Sequence, residues 1–506
     1  MDSNLSLSFI IISSFFIFLA MCFRVITRPI PDPNKNHPPG PTKLPVIGNL
    51  HQLATSSKLP HRLLSDLARK YGPVMHLQLG EVSTVVISSP EAAKEIMKTQ
   101  ELNFFNRPLT IATDIVLYNH SDLVMSPYGE YWRQMRKFFT VELLSARRVQ
   151  SFRALREKEF TNLCKWIASR EGLSINLTEK ISFTTCDIVL QASLGKKTDE
   201  LRKFNKIANE SAELGIGFNL ADFYPSISLF RQFNAIKGKV ERLHKKADRI
   251  LEKVINEHRE KKNEFKQHHD FADDLLKFNN SGNQIKLTDT NIKAVLLDVF
   301  IAGIETSSMT TDWIMVEMLR RPSVYKKAQD EVRMVFKEKG FVDESCFDKL
   351  KYLKLVVKES LRLHTPLPIM FPRESTEQCE IFGYKVAPKT QVLVNAWAIG
   401  RDPEYWKEPD SFIPERFLDN PVDYKVNNFE YLPFGAGRRI CPGISFGLAN
   451  VELALAMFLY HFDWALPNGM KPEDMDMTEA SGVTLKRKEP LYVIPRVKIP
   501  LPVKQD

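Results

Sequence analysis

The sequence predicts an α+β protein, predominantly α-helical with a small β-sheet region. Three observations predict it. The longest periodic pattern runs from Thr288 to Arg321, where Thr288 or Asp289 can cap a helix and Pro322 stops it. From Ile444 to Leu459 the chain is almost continuously apolar, which reads as a buried helix apolar nearly all round. Sheet signals are short: Val74–Leu79 and Ser83–Ser88 alternate around turn residues, and Val392–Asn395 forms a further patch.

The 506 residues allow one very large domain or several ordinary ones, and a hydrophobic content of 43% supports a sizeable core. The net charge of +9 arises from 70 basic and 61 acidic side chains. No long Lys/Arg run interleaves with aromatics, so nucleic acid is not a partner. The excess fits an anionic membrane surface or an acidic protein partner. Six scattered cysteines form no disulfide framework, which places the main domain in a reducing compartment. Cys22, Cys164, Cys186, Cys346 and Cys379 read as small buried hydrophobes.

The N-terminal run Leu5–Phe23 carries no charge and is long enough to span a bilayer. Only Asp2 precedes it, whereas Arg24, Arg28 and Lys35 follow. These flanks predict an uncleaved anchor over residues 1–28, with its C-terminal side cytosolic, rather than a signal peptide. Residues 29–45 hold Pro29, Pro31, Pro33, Pro38, Pro39, Pro41 and Pro45, a stiff extended linker. Residues 46–506 then form the main domain. The stretch from Glu257 to Gln284 is rich in charge, Asn and His. Its His268-His269 pair reads as solvated loop rather than a metal site, since no partner stands at metal-ligand spacing.

Four motifs carry chemistry. In Tyr131-Trp132-Arg133-Gln134-Met135-Arg136-Lys137, Trp132 and Arg136 are four apart and share a helical face. An indole N–H and a guanidinium there could bind two carboxylate oxygens, or the segment is an ordinary basic amphipathic helix. Ala302-Gly303-Ile304-Glu305-Thr306-Ser307 places glycine, carboxylate and hydroxyl in mid-helix, where they lower helix propensity. A kinked core helix with Thr306 bonded back to a carbonyl is one reading. Glu359-Ser360-Leu361-Arg362 sets opposite charges three apart, which as a surface pair would contribute little. Finally, Cys441 lies in the loop Tyr431–Gly443 among Gly435, Gly437, Pro433 and Pro442, just before the apolar helix. The helix end and the neighbouring Arg438 and Arg439 favour a thiolate, and a thiolate so held suits a metal. Zinc is excluded because no second Cys or His stands at ligand spacing.

The order Phe434-x-x-Gly437-x-Arg439-x-Cys441-x-Gly443 resembles the haem-ligand signature of the cytochrome P-450 superfamily. With the other motifs in order, the resemblance covers the chain from about Pro38 to its end. It implies the predominantly helical cytochrome P-450 fold. Haem b would lie between the helix at Ala302 and the loop at Cys441, which is the metal ligand. Trp132, Arg136, Arg373 and Arg439 would be cofactor-binding residues. Ala302-Gly303 would make room above the iron, and Glu305 and Thr306 would relay protons, with Glu305 standing where many members have Asp. Glu359 and Arg362 would meet Arg416 of Phe412-Ile413-Pro414-Glu415-Arg416-Phe417 and lock the fold. The segment His364-Thr365-Pro366 departs from the His-Pro-Pro of plant members, and local reshaping of the pocket wall is expected there.

The resemblance further implies monooxygenation with O2, a small apolar substrate, membrane lipid, and electrons from NADPH through NADPH–cytochrome P-450 reductase. The site is the endoplasmic reticulum membrane, with a single-pass anchor and a cytosolic catalytic domain. The pattern is similar to plant family-71 members that oxidise sesquiterpenes and diterpenes, with alkaloid or phenolic oxidation as the alternative. Pocket segments are expected at Arg107–Met125, Ser211–Ala221, Val295–Thr306, Pro366–Met370 and Glu479–Thr484. Ile111, Ile115, Val299, Ile369, Met370 and Val483 would suit an apolar ligand, and would equally suit a packed core. Two rival classes are a reductase-independent haem-thiolate isomerase or dehydratase, and a non-catalytic haem sensor. Intact Glu305-Thr306 disfavours both.

Overall fold

The computed structural model describes residues 36–216, 219–232, 234–260, 269–278, 285–418, 420, 422–424 and 428–501. The expected anchor, the linker before Asn36, Cys22 and His268 lie outside the described residues. The chain divides into two compact units. One gathers the residues up to Pro108 with Asn219–Asn234 and Phe371–Asn395, and the other holds the rest.

The first unit is built on a four-stranded sheet. Strand β1 (Val74–Leu79) pairs antiparallel with β2 (Val82–Ile87) in the register Val74↔Ile87 to Leu79↔Val82. Gly80, at φ +61°, makes the tight turn between them, where a side chain would be strained. Two-residue β3 (Arg373–Glu374) pairs antiparallel with β4 (Gln391–Val394), which itself runs parallel to β2. The expected strands at Ser83–Ser88 and Val392–Asn395 therefore each begin one residue earlier.

The second unit is helical, with a three-stranded sheet of Ile175–Asn176, Phe462–Ala465 and Tyr492–Val497. Its helices include α1 (Glu130–Phe138), α2 (Asp199–Ile216), α3 (Asp289–Gly303), α4 (Glu305–Arg320), α5 (Lys351–Leu363) and α6 (Ile444–His461). Helix α6 begins where the apolar run begins. Phe446, Val451 and every residue from Leu453 to His461 are buried. It packs against α4 and against the helices Arg153–Ala168 and Pro322–Phe336. Burial of each such large apolar side chain contributes about 1.5–3 kcal/mol. Among the described residues α6 is the only helix long and apolar enough to cross a membrane, and it is a core helix.

Two expectations need correction. The pattern Thr288–Arg321 is two helices rather than one. Thr288 caps α3 by accepting from Asn291 N, but regular helix stops at Gly303 and resumes at Glu305. There the Thr306 hydroxyl donates to the Ala302 carbonyl at 2.5 Å, competing for the backbone acceptor beside a glycine. Within the charged stretch from Glu257, one helix continues through Glu260 and another spans Phe271–Phe278. Cys164 and Cys186 are buried as expected, but Cys346 and Cys379 are only half-buried.

The expected lock forms around a carboxylate removed from water. Glu359 and Arg362 have no side-chain exposure, and Arg416 has 9%. Arg362 grips Glu359 bidentately, Nε and Nη2 each at 2.8 Å. Arg416 Nε and the Ile413 amide donate to Glu359 Oε1 at 2.9 and 2.8 Å. The remaining donors of Arg362 reach the carbonyls of Gly400, Pro409 and Ser411. Those of Arg416 reach Lys407, Glu408 and Ser411. Removing one partner of a buried pair costs about 3–5 kcal/mol. Glu359→Gln is expected to lower unfolding stability by that amount, because two buried cations lose their anion. Arg416→Lys keeps the charge, loses the carbonyl bonds and should cost less. Urea denaturation followed by intrinsic fluorescence measures both, and a mild effect of Glu359→Gln would contradict the lock.

Candidate haem-thiolate site

The loop that carries Cys441 is folded by its own backbone. The Cys441 amide donates to Phe434 O at 3.0 Å, Gly435 N to Leu432 O at 3.2 Å and Ile440 N to Gly437 O at 3.1 Å. Gly435 and Gly437 stand at φ +71° and +72°, a left-handed conformation that favours glycine. The loop is pinned from below: the Tyr431 hydroxyl donates to Lys358 O at 2.9 Å, and Trp406 Nε1 to Glu430 O at 3.2 Å.

Cys441 lies deep yet keeps accessible surface. Burial pushes its thiol up, and the Gly443 N–H and the Arg136 guanidinium offset this only in part. The hydrogen bonds of Arg438 and Arg439 go to groups other than the sulfur. Arg438 is exposed and donates to the Tyr128 hydroxyl at 3.5 Å. Arg439 donates to the carbonyls of Val124 at 2.9 Å and Ser126 at 2.5 Å, and lies 5.2 Å from the Trp132 ring centre. A buried thiolate here therefore needs a cation as its partner, which a soft metal ion supplies.

Trp132 and Arg136 both lie on α1, but their donors go separate ways. Trp132 Nε1 donates to Leu123 O at 3.1 Å. Arg136 Nη2 donates to Ile440 O at 2.5 Å, its single hydrogen bond among the described residues. Burial lowers the Arg136 pKa, and the nearby Cys441 acts in the other direction. The segment Leu123–Ser126 thus supplies carbonyl acceptors to both Trp132 and Arg439. It is held by two buried carboxylates that no motif revealed. Asp298 of α3 accepts from Leu123 N, and Asp122 accepts from Met125 N, each at 2.7 Å. Burial raises both, Asp122 to about 6, and the Asp122 charge raises Asp298 further.

On α3, Ala302 is exposed and Gly303 half-buried, whereas Leu296, Leu297 and Phe300 are fully buried. Glu305 Oε1 lies 3.2 Å from Lys486 Nζ, and no hydrogen bond joins it to the Thr306 hydroxyl among the described residues. Gly447 of α6 faces α4 closely: a Cβ there would meet Ser307 Oγ at 3.4 Å, tighter than usual contact. His364 takes a core position, stacked on Trp313 with centroids 3.8 Å apart and Nε2 2.6 Å from Glu317 Oε1. The six apolar side chains expected at the pocket are all half-buried rather than packed away. Arg373 belongs to the first unit. It is 4% exposed, among the described residues donates only to Phe104 O at 3.3 Å, and burial lowers its pKa to about 10.

These residues fit a haem. Cys441 offers one soft donor, with no second His or Cys ligand beside it among the described residues. Arg136 is a half-buried cation with one hydrogen bond among the described residues and donors left for carboxylates. Ala302 offers the smallest side chain on the accessible face of α3.

The chain is similar to known proteins over nearly all its length. Residues 38–494 match the cytochrome P-450 family. The chain is 49% identical over 500 residues to salviol synthase of Salvia pomifera, covering 98% of this chain and 99% of that protein. It is 50% identical over 487 residues to desmethyl-deoxy-podophyllotoxin synthase of Sinopodophyllum hexandrum, covering 95% and 96%. A solved zebrafish cytochrome P-450 with progesterone shares the fold at a TM-score of 0.74 and 24% identity, covering 87% of this chain and all of that one.

The hydrogen bonds separate two residues that share a motif. Arg136→Met removes uncommitted charged donors and should weaken haem retention about 10–100-fold. Trp132→Phe loses an N–H already given to Leu123 and should weaken it less than about tenfold. Haem transfer to apomyoglobin measures both, and equal losses would contradict the assignment.

Proposed function

The chain belongs to the cytochrome P-450 family, in the plant family-71 clan, and is a monooxygenase; on that premise we propose that it hydroxylates or epoxidises a sesquiterpenoid or diterpenoid. The observation that carries the chemistry is Cys441, a deep-lying sulfur just before the core helix with the Arg136 guanidinium near it. Haem b is the cofactor. Cys441 would ligate its iron, and Arg136, Arg373, Trp132 and Arg439 would hold its propionate side, Trp132 and Arg439 through the ordered Leu123–Ser126 loop. When bound, a thiolate-ligated haem supplies O–O cleavage and insertion of one oxygen atom into an unreactive bond.

The chain's own residues place substrate and protons. Ile111, Ile115, Val299, Ile369, Met370 and Val483 keep accessible apolar surface, which suits a hydrocarbon skeleton and offers few polar anchors. Glu305, part exposed, exchanges protons with water. The Thr306 hydroxyl holds its proton toward Ala302 O and can turn it inward. The two side chains sit on adjacent residues without touching, so a water carries the proton between them.

Electrons come from NADPH–cytochrome P-450 reductase, whose acidic surface the +9 net charge favours. Residues 1–28 anchor the chain in the endoplasmic reticulum membrane. A lignan-named relative at the same identity supports phenolic oxidation as the second reading, with alkaloids beside it. A reductase-independent isomerase or dehydratase is separated from both by NADPH consumption.

Microsomes carrying this chain and a plant reductase, offered terpene, alkaloid and phenolic panels, should form an oxygenated terpenoid with NADPH consumed. Phenolic or alkaloid products alone would overturn the substrate class. With the accepted substrate, Thr306→Ala should keep NADPH oxidation but lower product per NADPH and raise hydrogen peroxide. One positioned proton donor is worth about 10²–10⁴-fold in its step, and water recovers part of it. Unchanged coupling would mean that Thr306 is only a helix residue.

A further inference from the structure

The hairpin between Thr478 and Lys488 is rigidly placed. Its backbone is closed by Lys488 N to Thr478 O and Ala480 N to Lys486 O, both 2.8 Å. It is fastened to α4, where Trp313 Nε1 donates to Leu485 O at 2.6 Å and Arg487 lies 3.7 Å from Asp312. Leu485 is buried. Lys486 therefore leaves a fixed backbone. Its Nζ stands 3.2 Å from Glu305 Oε1 and 3.4 Å from Glu213 Oε1. Glu305 opens α4 and Glu213 lies in the last turn of α2. One ammonium thus joins two carboxylates from two other elements.

This arrangement is a poor stability device. The three side chains keep 26–57% of their exposure, and surface pairs of that kind contribute little. It is also a poor proton conductor. The two carboxylates raise the Lys486 pKa against the effect of burial, so the ammonium keeps its proton and cannot accept another. What it does is restrict geometry. A glutamate has three free side-chain torsions, and a carboxylate at the solvent edge would otherwise sample many orientations.

We propose that Lys486 is a positioning residue for proton delivery, holding the Glu305 carboxylate at the head of α4 and tying it through Glu213 to the last turn of α2. The proposal rests on the reading of Glu305 and Thr306 as the proton relay. Loss of the tether frees Glu305 and α2 together, whereas loss of Glu213 frees α2 alone.

The test uses full-chain holoenzyme with saturating reductase and the terpenoid that the microsomal panel identifies. Correct folding is checked by the reduced carbon monoxide spectrum. Lys486→Met should lower product per NADPH about two- to fivefold, raise peroxide, and enlarge the solvent isotope effect on product formation. Lys486→Arg should restore all three, because it returns the charge. Glu213→Gln should keep coupling near wild type. Hydrogen–deuterium exchange of the peptide that ends α2 should rise in both Lys486→Met and Glu213→Gln, a readout independent of turnover. If Glu305→Gln and Thr306→Ala uncouple but Lys486→Met does not, the tether is wrong and the relay stands. If none of the three uncouples, relay and tether both fall. Failure of Lys486→Arg to restore coupling, or unchanged exchange in α2, would also overturn the proposal.

Discussion

A fully buried carboxylate needs its charge answered, and in this protein Glu359 is answered by Arg362, Arg416 and the Ile413 amide at once. Desolvating a lone carboxylate would cost several kcal/mol, so the segment that supplies these partners has little freedom to be elsewhere. The two guanidiniums spend their other donors on the backbone from Gly400 to Ser411. That backbone places Trp406 and Phe417, whose rings meet Tyr431 at 6.3 and 5.4 Å. Tyr431 begins the loop that presents Cys441. The position of the sulfur is thus set by an ion pair with no access to solvent and no part in the chemistry.

The other wall of the site depends on an imperfection. A regular helix from Thr288 to Arg320 would satisfy the Ala302 carbonyl by the ladder alone. Here the Thr306 hydroxyl takes Ala302 O, and regular helix is interrupted at Ile304. A side chain that competes with the backbone is a hydroxyl already positioned to exchange partners. Gly447 lets α6 approach Ser307 closely, so the helix that follows the cysteine and the helix that begins at Glu305 share one packed interface.

Much of this was legible in the sequence because it is local. The helix at Ile444 is announced by its apolar run, the loop before it by glycines that most readily take positive φ, and the Glu359–Arg362 pair by helical spacing. What spacing could not show is where donors end. Trp132 and Arg136 share a helix face as expected, yet the indole N–H goes to a carbonyl of Leu123, and a carbonyl carries no signature. Asp122 and Asp298 look like ordinary acids in sequence, and only burial makes them supports for that loop. Lys486 meets Glu305 across 181 residues, so no window of sequence contains both. The break at Ile304 was hinted at by Gly303 and Thr306, but helical periodicity on either side concealed it.

The proposed chemistry rests on one bond, from the Cys441 sulfur to a haem iron. The most direct measurement is the absorption spectrum of the reduced carbon monoxide complex, taken on the purified chain and on Cys441→Ser. A thiolate pushes electron density onto the iron, and the Soret band of the wild-type complex should be displaced far to the red. The serine variant should lack that band whether or not it retains haem. A red-displaced band that persists in Cys441→Ser would show that another group ligates the iron and would contradict the account.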